Sequence, residues 1–183
     1  MLPVIIDQVL NNANVFVFGE ILSEPKVAAM LTDNGVARRS LATLELFAYS
    51  TFNDYEKNKD KFIVLKPKML EKLKMLSLTD LCMKNSSITF DQIKSSTGCA
   101  SNDEAEELVL KCVQSQLFQV RIDQRNKNII VLNVNSNDGR GRDVPTSNVK
   151  ALVEQLEEWE NTSLKNTQEI FDVKVRKELD TAV

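Results

Sequence analysis

The chain is 183 residues long, 43% apolar and 27% charged, which is enough to bury a core and too hydrophobic for a chain that stays unfolded. Its formal net charge is -3 and its pI about 5.2, so no overall positive field draws it to nucleic acid or acidic membrane. It has no histidine, which removes histidine-based triads, the commonest general base and most zinc sites.

That length suits one domain with an appendage, or two small units sharing a core. No apolar run reaches the ~20 residues a bilayer span needs, and the N-terminus lacks the charged-then-apolar order of a secretory signal. No membrane partner is expected. The three cysteines, Cys82, Cys99 and Cys112, are odd in number, lack paired spacing and lie in or beside apolar patterns, as small core residues of a reducing compartment do.

From the N-terminus, Val4, Ile5, Ile6, Val9 and Leu10 fall at helical spacing. The abrupt start reads as the tail of a longer helical region. Phe18, Ile21 and Leu22 form the next apolar face, and Val27, Met30 and Leu31 another beyond Pro25. Proline crowds the turn before it, so two short helices are expected here. Leu41, Leu44, Phe47 and Ala48 continue the pattern after Gly35, and Phe52 to Asn58 reads as a connector or single turn with Tyr55 packed back. Residues 1–66 are thus expected to stack as short helical repeats, a small solenoid.

Pro67 opens a helix that is apolar nearly all round, through Met69, Leu70, Leu73, Met75, Leu76, Leu78, Leu81 and Cys82. A buried central helix fits that pattern. Ile88 marks a short strand, and Thr89 with Gln92 has capping-box spacing. Gly98 is a helix stop. Ser101 and Glu104 repeat the cap before the stripe Ala105, Leu108, Val109, Cys112, Val113 and Leu117. The acidic residues after Ser101 also fit a phosphorylation pattern, but capping requires no second protein.

Phe118, Val120 and Ile122 then alternate with Gln119, Arg121 and Asp123, and a polar turn leads to a denser strand, Ile129 to Val134. Three short helices followed by a hairpin are the order of a winged helix, here residues 67–134. Asn135 to Arg142 is a loop by composition. Its Gly139 and Gly141 do not make a phosphate cradle, because no Lys-Ser/Thr follows and the strand-loop-helix context is weak. From Pro145 one helical pattern runs almost to the end. Val149, Leu152, Val153, Leu156 and Trp159 form a stripe that Leu164, Phe171, Val175 and Leu179 carry on. The C-terminal unit is therefore set at residues 145–183, with a face that calls for a covering partner helix, the alternative being a helix that folds back on its own domain.

A winged helix that reads DNA places its third helix in the major groove and needs cations there. Here that helix carries Asp103, Glu104, Glu106 and Glu107 against Lys111. The wing holds Arg121, Arg125 and Lys127, which a protein partner or solvation explains as well, so nucleic acid is not expected as a partner. No acid pair sits in pKa-tuning surroundings, and there is no metal-ligand cluster or nucleophile elbow. The chain is read as no enzyme, with no cofactor, no catalytic residues and no metal.

Asn14–Leu22 (NVFVFGEIL), Leu46–Tyr55 (LFAYSTFNDY), Lys72–Leu78, Ile122–Asn126 (IDQRN) and Gly141–Val144 (GRDV) together resemble the PCI-domain family, shared by the proteasome lid, the COP-nine signalosome and translation initiation factor three. Within it the resemblance is to the subunit-seven branch of the signalosome. Ser95 to Asn102 departs from that branch's usual linker, and the chain is expected to start and end short of typical members.

The resemblance implies a mostly α PCI fold: helical repeats, a winged helix with a small β hairpin, then a long C-terminal helix. It implies a non-catalytic scaffold subunit, cytoplasmic and nuclear, in the complex that deneddylates cullin-RING ubiquitin ligases; the alternative is a PCI subunit of the lid or of the initiation factor. Partners would be other PCI and MPN-domain subunits. Gln119, Arg121, Asp123, Gln124, Arg125 and Asn126 on the hairpin would meet a neighbouring PCI subunit, since an edge strand presents unpaired amides and carbonyls. Leu164, Phe171, Val175 and Leu179 would enter a helical bundle.

Overall fold

The computed structural model describes residues 2–12, 14–28, 35–134, 142–143 and 148–181. They fall into two compact units, Met1–Asp143 and Val144–Val183.

In the first unit, α1 (Leu2–Asn11) buries Ile6 and Leu10. The break expected around Pro25 is present: α2 (Gly19–Ser23) stops one residue short of it and α3 (Pro25–Ala28) starts on it. A first-turn proline loses nothing, because the amide it lacks would have no partner inside the helix. Met30 and Leu31 lie outside the described residues. Helix α4 (Gly35–Tyr49) buries the expected Leu41, Leu44, Phe47 and Ala48, and α5 (Phe52–Lys57) turns Tyr55 inward.

Helix α6 (Pro67–Lys84) is buried on most sides, through Met69, Leu73, Met75, Leu76, Leu78 and Cys82. Beyond it come β1 (Ser87–Thr89), α7 (Phe90–Thr97), α8 (Asn102–Gln114), β2 (Phe118–Asp123) and β3 (Asn128–Val134). This is the winged-helix order. The strands form one antiparallel sheet in the order β1-β3-β2, with Ile88 opposite Ile129 and Ile122 opposite Ile129 from the other side. A register shift at Gln119/Val120 interrupts β2 near its start. Ile88, Ile93, Val109, Cys112, Phe118 and Ile129 share one buried cluster with Phe18, Phe47 and Leu76, so the sheet and the N-terminal helices close over continuous apolar contacts.

The helix ends follow local chemistry. Thr89 Oγ1 accepts the Gln92 amide at 3.3 Å while Gln92 Oε1 accepts the Thr89 amide at 2.9 Å, the reciprocal cap read from the sequence. Ser101 Oγ accepts the Glu104 amide at 3.1 Å. The return arm differs: Glu104 Oε2 accepts the Ala100 amide, one residue before the cap, at 2.8 Å. Its other oxygen lies 3.5 Å from Lys74 Nζ on α6, so a tertiary ion pair helps decide which amide the carboxylate reaches. Gly98 ends α7 in the left-handed region at φ +65°. A methyl there would lie 2.5 Å from Phe52 Cε1, so conformation and space both select glycine.

The second unit is built on α9, Val149–Thr181, 33 residues without interruption and therefore about 50 Å long.

Candidate interaction surfaces

The hairpin is organised by one carboxylate. Asp123 Oδ1 accepts the amides of Arg125 and Asn126, each at 3.1 Å, and Oδ2 accepts Asn126 Nδ2 at 2.8 Å. The Asn126 amide, its side chain and then the Arg125 amide hold the Asp123 carboxyl below its ordinary range. Lys127 completes the turn at φ +51°. Gln124 Nε2 donates to Glu106 Oε2 of α8 at 2.7 Å, tying the wing to the third helix.

The six hairpin residues named from the sequence thus divide by role. Asp123 and Asn126 shape the turn and Gln124 anchors it. Gln119, Arg121 and Arg125 are exposed. Among the described residues β2 pairs with β3 alone, so its other edge carries main-chain donors and acceptors that no described strand engages.

Helix α8 presents its carboxylates as expected, and its lysine is already engaged. Lys111 Nζ lies 2.5 Å from Glu71 Oε1 and 2.9 Å from Glu107 Oε1, which raises its pKa. The surface a DNA reader would use is acidic, with its one cation paired.

On α9 the apolar stripe is uncovered. Leu164 is 62% exposed, Phe171 61% and Trp159 69%, an apolar face open to solvent. Leu164 and Phe171 share a face at seven-residue spacing. The side chains of Val175 and Leu179 lie outside the described residues.

What sequence reasoning missed is a set of buried polar ties. Lys72 is 5% exposed, and its ammonium donates to the carbonyls of Val9, Leu10 and Asn12 at 3.4, 3.3 and 2.8 Å. It thereby caps the C-terminus of α1, where carbonyls lack intrahelical donors and the dipole favours a cation. The Phe18 and Phe16 rings lie 5.0 and 5.6 Å from Nζ. Burial pushes the Lys72 ammonium down to about 8. Ser77 Oγ accepts the Phe52 amide at 2.8 Å, Asp143 Oδ2 accepts the Phe18 amide at 2.7 Å, and Arg142 Nη2 donates to the Ser50 carbonyl. Burial also lowers the Arg142 pKa, opposed by Asp80, Asp143 and Asp54.

These ties join four of the five stretches that carried the resemblance: Phe18, Ser50 and Phe52, Lys72 and Ser77, and Arg142 and Asp143. Two of them reach Phe18, whose ring stands edge to face with that of Phe47, centroids 6.0 Å apart. No local pattern announces this convergence: Lys72 stands in α6 among Lys68, Glu71 and Lys74, and nothing in that run marks it as the buried one.

Two cavities adjoin this framework. One, of about 310 Å³, lies between α6 and α8 and is rimmed by the paired charges Glu71, Lys74, Glu104, Glu107 and Lys111. Another, of about 290 Å³, lies beside Lys72. Among the described residues no group of three or more histidine, cysteine or acidic side chains could hold a metal. Cys82, Cys99 and Cys112 are buried and free, and burial pushes the Cys82 thiol up to about 12, away from thiolate chemistry. No described helix is long and apolar enough to cross a membrane.

Residues 52–133, from α5 nearly to the end of β3, match the model of the PCI domain. The likeness to a PCI domain thus takes in the whole winged helix and the short helix before it. It is 32% identical over 158 residues to COP9 signalosome complex subunit 7 of Drosophila melanogaster, an alignment covering 86% of this chain and 54% of that protein. The Dictyostelium discoideum COP9 signalosome complex subunit 7 is 29% identical over 166 residues, covering 91% of this chain and 61% of that protein. Subunit 7a of Mus musculus is 28% identical over 158 residues, 86% of this chain and 55% of that protein. The chain thus spans little more than half the length of these relatives. The matched region combines helices with a small three-stranded sheet, and the long α9 follows it.

Proposed function

We propose that the protein is a non-catalytic scaffold subunit of the COP9 signalosome, acting in the cytoplasm and nucleus within the assembly that deneddylates cullin-RING ubiquitin ligases. The observation that carries this reading is that alignments to signalosome subunit 7 extend over 86–91% of the chain, well beyond the PCI match itself. In this role residues 1–66 serve as helical repeats, residues 67–134 as the winged helix and residues 145–183 as a bundle helix. The open edge of β2, with Gln119, Arg121, Asp123, Gln124, Arg125 and Asn126, meets a neighbouring PCI subunit. Leu164, Phe171, Val175 and Leu179 pack among C-terminal helices of PCI and MPN-domain subunits. Isopeptidase chemistry belongs to another subunit, and this chain works without a cofactor.

The experiment is reconstitution with the remaining signalosome subunits, using the parent and a Phe171→Asp/Val175→Asp variant. The parent is expected to co-purify with the complex, and the variant to stay outside it with an unchanged circular dichroism spectrum. A parent that does not enter overturns the assignment; a variant that enters as well as the parent removes the bundle role.

A further inference from the structure

The uncovered face of α9 is not uniform along its length. In the first turns Leu152, Val153, Leu156 and Trp159 are 42, 47, 64 and 69% exposed. The same stretch carries Glu154, Glu157, Glu158 and Glu160 against the single cation Lys150. From Asn161 to Phe171 the charge balances, Lys165 against Glu169, and from Asp172 to Val183 Lys174, Arg176 and Lys177 balance Asp172, Glu178 and Asp180. The acidic excess is confined to the first half.

Two of those glutamates, Glu157 and Glu160, are placed to be read by whatever covers the stripe. Glu157 follows Val153 by one turn and lies on the border of the apolar face, while Glu160 stands between Leu156 and Leu164 on one row and lies within the stripe itself. Among the described residues no ion pair or hydrogen bond engages the carboxylate of Glu154, Glu157, Glu158 or Glu160. A seam with one unpaired carboxylate on its border and another inside it repels a partner of like charge and selects one of opposite charge, as charged positions do in paired helices. A second copy in parallel register would set Glu157 and Glu160 against themselves. An anionic lipid surface is disfavoured on the same ground.

We propose that the first half of α9 docks an amphipathic helix of another protein whose apolar stripe is bordered by lysines and arginines. This rests on the scaffold reading above and adds the chemistry of the partner at that helix. Charge then fixes which helix lies against which and in what register, while the apolar stripe supplies most of the affinity.

Trp159, the chain's only tryptophan, reports occupancy directly. The full chain is titrated with two synthetic amphipathic helices sharing one leucine seam, one bordered by lysines and the other by glutamates. The lysine-bordered helix is expected to blue-shift Trp159 emission and bind about tenfold more tightly at low salt, the preference shrinking as salt is raised. A Glu157→Lys/Glu160→Lys variant, with unchanged circular dichroism, reverses the preference. Equal affinity for the two helices, or an unreversed preference in the variant, overturns the proposal, as does concentration-dependent dimerisation that buries Trp159 in the chain alone. Reconstitution separates this inference from the scaffold reading: if Leu156→Asp abolishes entry into the complex while Glu157→Lys/Glu160→Lys enters like the parent, the scaffold reading stands and charge selection falls.

Discussion

The Met1–Asp143 unit and helix α9 follow opposite rules. In the first, even cations are drawn inside and given partners: Lys72 takes three backbone carbonyls and Arg142 the Ser50 carbonyl. In the second, the largest side chain of all, Trp159, is 69% exposed. A region that pairs most of its buried polar groups, with Asn102 Oδ1, Asn128 Oδ1 and Arg142 Nη1 left over, and buries most of its aromatics is specified largely from within. A helix of 33 residues with an exposed apolar stripe is not specified by its own packing, and on the proposed scaffold role its packing comes from a partner.

The comparison is tested most severely by making the same change on each side. Phe47 is fully buried against Phe18, and Phe47→Ala is expected to cost about 3–5 kcal/mol through lost transfer energy and the cavity left behind. Phe171, 61% exposed, is expected to cost less than about 0.5 kcal/mol on the same substitution. Chemical denaturation of the two variants checks this. Equal costs would mean that the isolated chain already packs Phe171 and that the contrast is false.

The same contrast governs what could be read from the sequence. Caps, breaks and stripes are local, so Pro25, Pro67, Thr89 with Gln92, Ser101 and Gly98 announced helix boundaries without any knowledge of the fold. The hairpin was legible because alternation from Phe118 to Asp123 has a strand's period. The pairing of β1 with β3 was not, since Ser87 meets Ile130 across 43 positions and nothing in either segment names the other. The buried Lys72 escaped for a related reason: its partners are carbonyls, which every residue carries, so no complementary side chain marks them. The hairpin's exposed residues were visible as candidates, but that Asp123 and Asn126 spend their polar groups on the turn required the geometry.

A smaller effect sharpens the picture of the first unit as internally determined. Gly98 holds φ +65° with Phe52 Cε1 at 2.5 Å from the position of an added Cβ. Gly98→Ala is expected to cost about 1–3 kcal/mol, from left-handed strain and from displacing the Phe52 ring. Thermal unfolding measures it, and Phe52→Leu in the same background separates the two causes: relief by the smaller side chain assigns the cost to space, and none assigns it to φ.

The smallest expected effect bears on the buried cation itself. Desolvation disfavours the Lys72 ammonium, while three carbonyls and the α1 dipole favour it; burial wins, pushing its pKa down to about 8 from an ordinary 10.5. Between those values the unfolded chain holds a proton that the folded one has released, so this group's contribution to stability rises with pH across the window and is flat below it. Raising the pH from 7 to 9 is therefore expected to strengthen the parent relative to a Lys72→Met variant by about 1 kcal/mol in denaturant unfolding. Methionine keeps much of the apolar stem and has no proton to lose, so the difference isolates the ammonium. A difference that stays constant over that range would mean that the carbonyls of Val9, Leu10 and Asn12 hold the charge in full, making Lys72 a permanent cationic cap on α1.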